Sequence, residues 1–344
     1  MLRKIVILII VLIAAFGSKA QDIHFSQLTQ TPLLLNPASA GAFNGYYRAI
    51  LNYKSQWASM GKPYSTFMGS FDLPFEKRGY SQRAYFGLGA NVFSDKAGDA
   101  HLATTSADVS VSCIVSMGNY HKLSAGLAAG FTLRSVDISA IKWPNQYNGS
   151  SYDPSLPSNE SSKLGSFYYF DIATGLHYQY LKPLSRFYGR DIIHLTIDGA
   201  MFHAATLFHS RRVGIPEKVY PRYVFNSSLR YDLQDTRVGL VPSVLYMKQG
   251  PSYELDIGFL VRLRTSKQTI ITGFLTESAF SAGLVYRYKD AIIPQVFFEI
   301  ADFGIGISYD VNVSSFSKST LYKGGLEFSV RYSRQKGALY KNRN

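Results

Sequence analysis

Seven histidines (His24, His101, His121, His177, His194, His203 and His209) are the side chains of this 344-residue sequence best suited by type to hold a metal or move a proton, and their spacing suits neither task. A hydrolytic zinc site needs two imidazoles one helical turn apart so that both reach one ion, with a glutamate between them as base. No H-E-x-x-H run occurs, and the closest pair, His203 and His209, falls in a loop-like stretch with Arg211, Arg212 and Pro216. A serine nucleophile would sit on a G-x-S-x-G elbow, which is absent. Gly87-Leu88-Gly89 is half of a dinucleotide fingerprint, but it lies in strand-like alternation with no helix after it, so the glycines read as strand glycines. Cys113 is the single cysteine and leaves no disulfide or thiolate metal site within one chain. It shares a face with Val109, Val111 and Val115 and reads as a small hydrophobe. No catalytic set, no metal and no cofactor is expected, and the chain reads as a non-enzyme.

The remaining chemistry is ionic. Arg48, Asp72, Asp108, Asp171, Arg230, Asp256, Arg262, Arg287, Asp310, Glu327 and Arg331 recur on the polar side of alternating segments. Such a set either lines a selective pore or pairs internally. The mixed signs favour pairing, because an unpaired charge in a narrow interior is costly.

The elements that would position these charges are strands. In 303–313, Phe303, Ile305, Ile307, Tyr309, Val311 and Val313 alternate with Gly304, Gly306, Ser308, Asp310 and Asn312. Period two puts the first set on one face of a sheet and the second on the other; a helix would need spacings of three and four. The pattern recurs in 123–134, 254–264, 280–289 and 326–332, and less cleanly near 46–54, 64–73, 83–93, 103–116, 165–180, 191–201, 222–232, 238–248, 268–276 and 291–300. About fifteen segments can be counted, and since bacterial single-chain barrels take even numbers the expectation is fourteen. Tyr178, Tyr180, Tyr231, Tyr246, Tyr286, Tyr288, Tyr309 and Tyr332 stand near the ends of the apolar sets, where aromatic girdles meet the membrane interfaces. Aromatics make up 15% of the chain and charged residues 17%. A soluble β-sandwich also alternates, but it would expose Lys and Glu more densely. The expected fold is all-β: a transmembrane antiparallel outer-membrane barrel. The net charge of +13 comes with no basic helix or Lys/Arg tract, so nucleic acid is a poor partner.

Residues 1–20 carry Arg3 and Lys4, a twelve-residue apolar core from Ile5 to Phe16, and a small-x-small site at Ser18-Lys19-Ala20. These are the three parts of a secretory signal peptide, with cleavage expected near Ala20. Residues 21–43 do not alternate, and Pro32, Asn36-Pro37 and Gly41 interrupt regular structure. The segment is nonetheless apolar, so its backbone polar groups need partners inside the protein. It reads as a plug in the lumen or a pad at the periplasmic rim, with Phe25, Gln27, Pro32, Asn36, Pro37 and Gly41 as candidate plug or partner-binding residues. Residues 44–332 then form the barrel and 333–344 a basic tail. Residues 135–164 and 203–221 are long connections, expected outside the cell if the N-terminus is periplasmic.

Five ordered blocks resemble one family. Gln21-Asp22, Phe25-Ser26-Gln27, Pro32, Asn36-Pro37-Ala38 and Gly41 match its opening pattern, and Tyr53-Lys54-Ser55-Gln56-Trp57 its tyrosine/basic/Gln-Trp stretch. Tyr286-Arg287-Tyr288-Lys289-Asp290-Ala291-Ile292-Ile293-Pro294, Gly306-Ile307-Ser308-Tyr309-Asp310-Val311-Asn312 and Gly325-Leu326-Glu327 follow in order. The chain thus resembles the PorP/SprF family of type IX secretion and gliding-motility proteins, less sharply between about 135 and 240. The resemblance implies a Bacteroidota outer-membrane protein working with periplasmic ring components of the secretion apparatus or with the C-terminal domain of a secreted adhesin. The competing expectation is a transport channel for hydrophobic or small polar solutes.

Overall fold

Each alternating segment has one apolar and one polar face, and the sheet they build hides the polar face by closing on itself. The computed structural model describes residues 22–56, 63–75, 83–98, 102–136, 141–157, 166–184, 192–204, 210–212, 215–217, 219–265, 278–314 and 323–335. Its strands are β1 (Gly45–Gln56), β2 (Tyr64–Phe75), β3 (Ala84–Ala97), β4 (Leu102–Ser116), β5 (His121–Ser135), β6 (Phe167–Pro183), β7 (Ile192–Phe202), β8 (Ser210–Arg212), β9 (Ile215–Glu217), β10 (Arg222–Asp232), β11 (Val238–Gln249), β12 (Ser252–Arg264), β13 (Ser278–Arg287), β14 (Ala291–Ile300), β15 (Phe303–Asn312) and β16 (Lys323–Gln335). All but β8 and β9, which pair only with each other, form one closed barrel of fourteen strands. Every pairing in it is between chain neighbours, with β7 meeting β10, and β1 closes the circle on β16 with Ala49 opposite Tyr332 and Tyr53 opposite Phe328. Closure leaves no unpaired strand edge, which a hydrocarbon environment requires.

Several sequence expectations fall outside the described residues: the signal peptide, the alternating segment 268–276, and residues 336–344. The stretch read as a basic tail begins inside the last strand. Ser333 and Arg334 continue the ladder opposite Arg48 and Tyr47, so β16 takes in residues up to Gln335.

The two faces differ sharply in exposure. On β1, Leu51 is 52% exposed while its neighbours Ile50 and Asn52 are 1% exposed. On β5, Leu127 and Phe131 face out and Ser124 and Thr132 face in. An outward surface of Leu, Val, Ile and Phe on every strand belongs in lipid. Aromatic rings bound this band at both ends. Tyr47, Phe71, Phe303 and Tyr332 cluster at one, with Tyr47 and Tyr332 centroids 5.8 Å apart and Phe303 and Tyr332 4.8 Å apart. Tyr53, Tyr223, Tyr253, Tyr286 and Tyr309 are exposed at the other. Among the described residues no helix is long and apolar enough to cross a membrane, so the crossing is made by strands alone.

The rim where β1 starts and β16 ends is called proximal here. Its connections include the short turns between β4 and β5 and between β14 and β15. The connections from β5 to β6 and from β7 to β10, the longest two, both lie at the distal rim. Of the first, residues 141–157 carry a short helical turn, Pro144–Gln146, and a bridge between Tyr147 and Tyr152.

Candidate functional site

Residues 22–43 occupy the barrel lumen. Pro32 and Pro37 have no N–H to give a ladder and a preset φ that suits the first position of a helical turn. The chain accordingly folds into three short turns, Leu28–Gln30, Pro32–Leu35 and Pro37–Ser39. Asn36 sits before the last of these and its side-chain oxygen accepts from the Ala38 N–H at 2.9 Å. Gly41 then turns with φ +65°, a conformation natural to glycine.

The segment runs lengthwise through the lumen. Asp22 accepts from His203 at the distal rim, and Gly41 donates to Asp72 near the proximal rim, at 2.9 Å. Between them every strand of the barrel touches it. The Glu327 carboxylate of β16 accepts from the backbone N–H of Ser26 at 2.7 Å and of Gln27 at 3.0 Å. The Ser26 hydroxyl donates to Asp310 of β15 at 2.7 Å and accepts from Arg287 of β13 at 3.0 Å and from Lys54 of β1 at 3.3 Å. Gln295 of β14 donates to the Ser26 carbonyl at 2.7 Å. Across the lumen, the Asn36 amide donates to the Leu176 carbonyl of β6 and to Asp198 of β7, both at 2.8 Å. Ser112 of β4 and Ser124 of β5 donate to the carbonyls of Ala40 and Ala38. Arg222 of β10 donates to the Leu34 carbonyl, and the Asp22 N–H donates to Gln249 of β11. Glu254 of β12 lies 3.3 Å from His24. Apolar packing completes the circle: Phe25 and Leu34 against Met68 of β2 and Phe93 of β3, and Leu28 and Leu35 against Val224, Leu245 and Met247.

The wall is shaped to receive this segment. A methyl built on Gly126 of β5 would lie 2.5 Å from Ala38 Cα, and one on Gly175 of β6 would lie 2.0 Å from the Asn36 side-chain oxygen. Only a missing side chain allows so close an approach.

The candidate residues fall into two groups. Phe25, Gln27, Pro32, Asn36, Pro37 and Gly41 all lie in the lumenal segment, where Gln27 also accepts from the Ser329 hydroxyl at 2.6 Å and donates to the Glu327 carbonyl. The charges face the lumen, and their partners differ. Arg48 pairs with Asp72, and Arg230 with Asp232, in two hydrogen bonds each. Arg287 lies between Asp310 at 3.1 Å and Asp256 at 3.4 Å. Arg262 and Arg331 share Glu299. Asp171 meets His203 at 2.9 Å, and Asp108 accepts from Asn91. Lys54, Glu254 and Glu299 were missed from the set of lumenal charges. Lys54 has the parity of Arg48 along β1, which would have found it; Glu299 follows the adjacent pair Phe297-Phe298, which blurs the alternation.

His203 joins the distal end of the segment to the wall. It contacts both Asp22 and Asp171, and Arg222 lies 3.6 Å from Asp22. Burial alone would lower the imidazole pKa, but the two carboxylates outweigh it and raise it to about 9. Burial raises Asp22, yet His203 and Arg222 hold it well below the ordinary carboxylate value. Burial, with Arg287 and Lys54 nearby, pushes the His24 imidazole well below its ordinary pKa. Among the described residues no group of His, Cys, Asp and Glu is arranged to hold a metal ion.

On the proximal side of the segment the lumen stays hollow. The cavity is about 1260 Å³, bounded by Gln27–Gln30, Pro32 and Leu35 and reaching Asn119, Tyr120 and Asp302 in the rim turns.

Comparison with known proteins follows this architecture. In solved structures, the CymD monoaromatic hydrocarbon channel superposes with a TM-score of 0.45 at 12% identity, covering 90% of this chain and 94% of that one. A FadL homologue of Pseudomonas aeruginosa gives 0.44 at 10% identity, covering 87% and 92%. The translocator domain of the autotransporter NalP from Neisseria meningitidis gives 0.37 at 10% identity, covering 84% and 88%. No curated protein matches the chain in sequence. The family of type IX secretion system membrane proteins PorP/SprF matches residues 17–332, nearly the whole chain, and this outer-membrane β-barrel belongs to it.

Proposed function

We propose that this barrel is a non-enzymatic component of the type IX secretion and gliding-motility apparatus. In this reading it binds the secretion machinery, and supports export and surface anchoring of large adhesin-type clients, through its rims rather than through a conduit. The observation that supports the reading is the lumenal segment: a single stretch of chain touches all fourteen strands and leaves a cavity of about 1260 Å³ on the proximal side. A solute channel needs a continuous polar path. Long connections mark the external side of outer-membrane barrels, so the proximal rim faces the periplasm, where ring components would dock. The tagged protein, gently extracted from native outer membranes, should co-purify with periplasmic secretion components or with an adhesin C-terminal domain. Recovery of the protein alone, together with solute uptake through it, would favour the transport reading instead.

A further inference from the structure

Among the described residues Asp108 of β4 is answered directly only by a neutral group, the Asn91 amide, which donates to it at 3.1 Å. The cations nearby are taken. His203 meets Asp171 at 2.9 Å, and Arg222, whose charge reaches Asp108 from farther away, is held by Asp22 at 3.6 Å and by the Leu34 carbonyl at 3.2 Å. Asp171 stands in the same row of the sheet, across Gly130, and adds its own negative field. Asp108 lines a cavity of about 50 Å³ between Leu33 and Leu34 of the segment and the wall of β3, β4, β5 and β6. A bound water takes about 10–15 Å³ of such space, so there is room for an ion and a water or two. Oxygen donors surround Asp108 in this cavity. Asn91 is 2% exposed and its side-chain oxygen accepts no hydrogen bond. Thr132 donates to Ser106 at 2.9 Å and Ser106 to the Phe131 carbonyl at 3.4 Å. Both protons are thus committed, and each hydroxyl keeps a lone pair. Thr104 adds a third hydroxyl.

We propose that this pocket is a sodium-ion site. The Asp108 carboxylate and the Asn91 oxygen are its principal ligands, and the hydroxyls of Thr104, Ser106 and Thr132 complete an all-oxygen shell with water. Hard cations take oxygen ligands, and a charge withdrawn from bulk water is held by an opposite charge or by a metal. One unanswered carboxylate calls for one positive charge, which favours a monovalent ion over calcium, whose sites use several carboxylates. Such a site differs in kind from a group of three or more ionisable ligands, of which the described residues have none. The ion joins β3 through Asn91 and β4 through Asp108 to β5 through Thr132, and so braces the wall against which Leu33 and Leu34 pack. The inference does not depend on the secretion role.

The test is thermal unfolding of the full-length protein in detergent, followed as loss of the heat-modifiable migration of a folded barrel. NaCl replaces choline chloride at constant ionic strength, so screening is unchanged and only an ion small enough for the pocket is added. The wild-type midpoint should rise with Na+, and above half-saturation it should climb with the logarithm of the Na+ concentration, as for one site. Asn91→Ala should raise the half-saturating Na+ about tenfold. Asp108→Asn, alike in shape but uncharged, should abolish the response. Each variant is compared with itself in choline, which separates ion binding from a change in intrinsic stability. Should Asp108→Asn not fold, Asn91→Ala decides. A wild type indifferent to Na+, the result if Asp108 keeps a proton instead, would overturn the proposal. So would a full response in Asp108→Asn, an unshifted one in Asn91→Ala, or a response to CaCl2 with none to NaCl. The protein is measured alone, so failure here leaves the proposed function standing, and failure to recover secretion partners leaves this site standing.

Discussion

Ser26 is the residue on which the lumenal segment turns. Its hydroxyl, amide and carbonyl are all engaged, by Asp310, Arg287, Lys54, Glu327 and Gln295. The motif blocks that looked unrelated along the sequence meet there: Lys54 from one, Arg287 from another, Asp310 and Glu327 from the last two. Glu327 is the acceptor for two buried amides, and leaving a buried donor unpaired costs about 1–3 kcal/mol each. Glu327→Ala should therefore loosen the segment without opening the barrel. Limited proteolysis is expected to cut within residues 22–35 of the variant and spare the wild type, while both keep the migration of a folded barrel. The distal tether adds a pH dependence. His203 has its pKa raised from 6.5 to about 9, so its contribution is full below 6.5 and is lost as pH rises through 9. Asp22 is depressed, so its contribution holds above its ordinary 3.8 and fades only in stronger acid. Hydrogen exchange at residues 22–26, corrected for intrinsic rate, should stay slow from about pH 4 to 6.5 and quicken towards pH 9. His203→Gln should flatten that profile.

At the scale of elements, strands and segment are complementary surfaces. Ala38 is seated where Gly126 leaves room, and the fit is one of backbone against backbone, which cannot move aside as a side chain can. Gly126→Val should expel this part of the segment while the fourteen-strand ladder persists. The check is crosslinking between cysteines placed at Ala38 and Ser124 on a Cys113→Ala background: efficient in the parent and lost in the valine variant. This is also where the sequence was most and least legible. Alternation marked the strands because each has one face in hydrocarbon, a signal repeated at every second residue. The segment was legible only as a non-strand stretch, since Pro32, Asn36-Pro37 and Gly41 say what it is not. Its course from rim to rim depends on contacts such as Ser26 with Glu327, three hundred positions apart in the chain, which no local pattern encodes. The pairing of Arg262 and Arg331 through Glu299 was hidden for a similar reason: three separate strands must close into a barrel before the three side chains meet.

For the whole molecule, the barrel is a wall and the N-terminal segment is its filling. The outward face of Leu51, Leu127, Phe131, Ile305 and their neighbours fixes the chain in the outer membrane. The inward face is mostly spent on holding residues 22–43, which leaves a cavity of about 1260 Å³ on the proximal side. The role proposed for such a molecule is that of a membrane-embedded docking piece rather than a passage. Ion conductance across a planar bilayer tests this most directly, comparing the intact protein with a variant lacking residues 22–43 that still migrates as a folded barrel. The intact protein should insert without steady conductance, and the deletion should give a stable open pore. Equal, steady conductance from both would contradict the account.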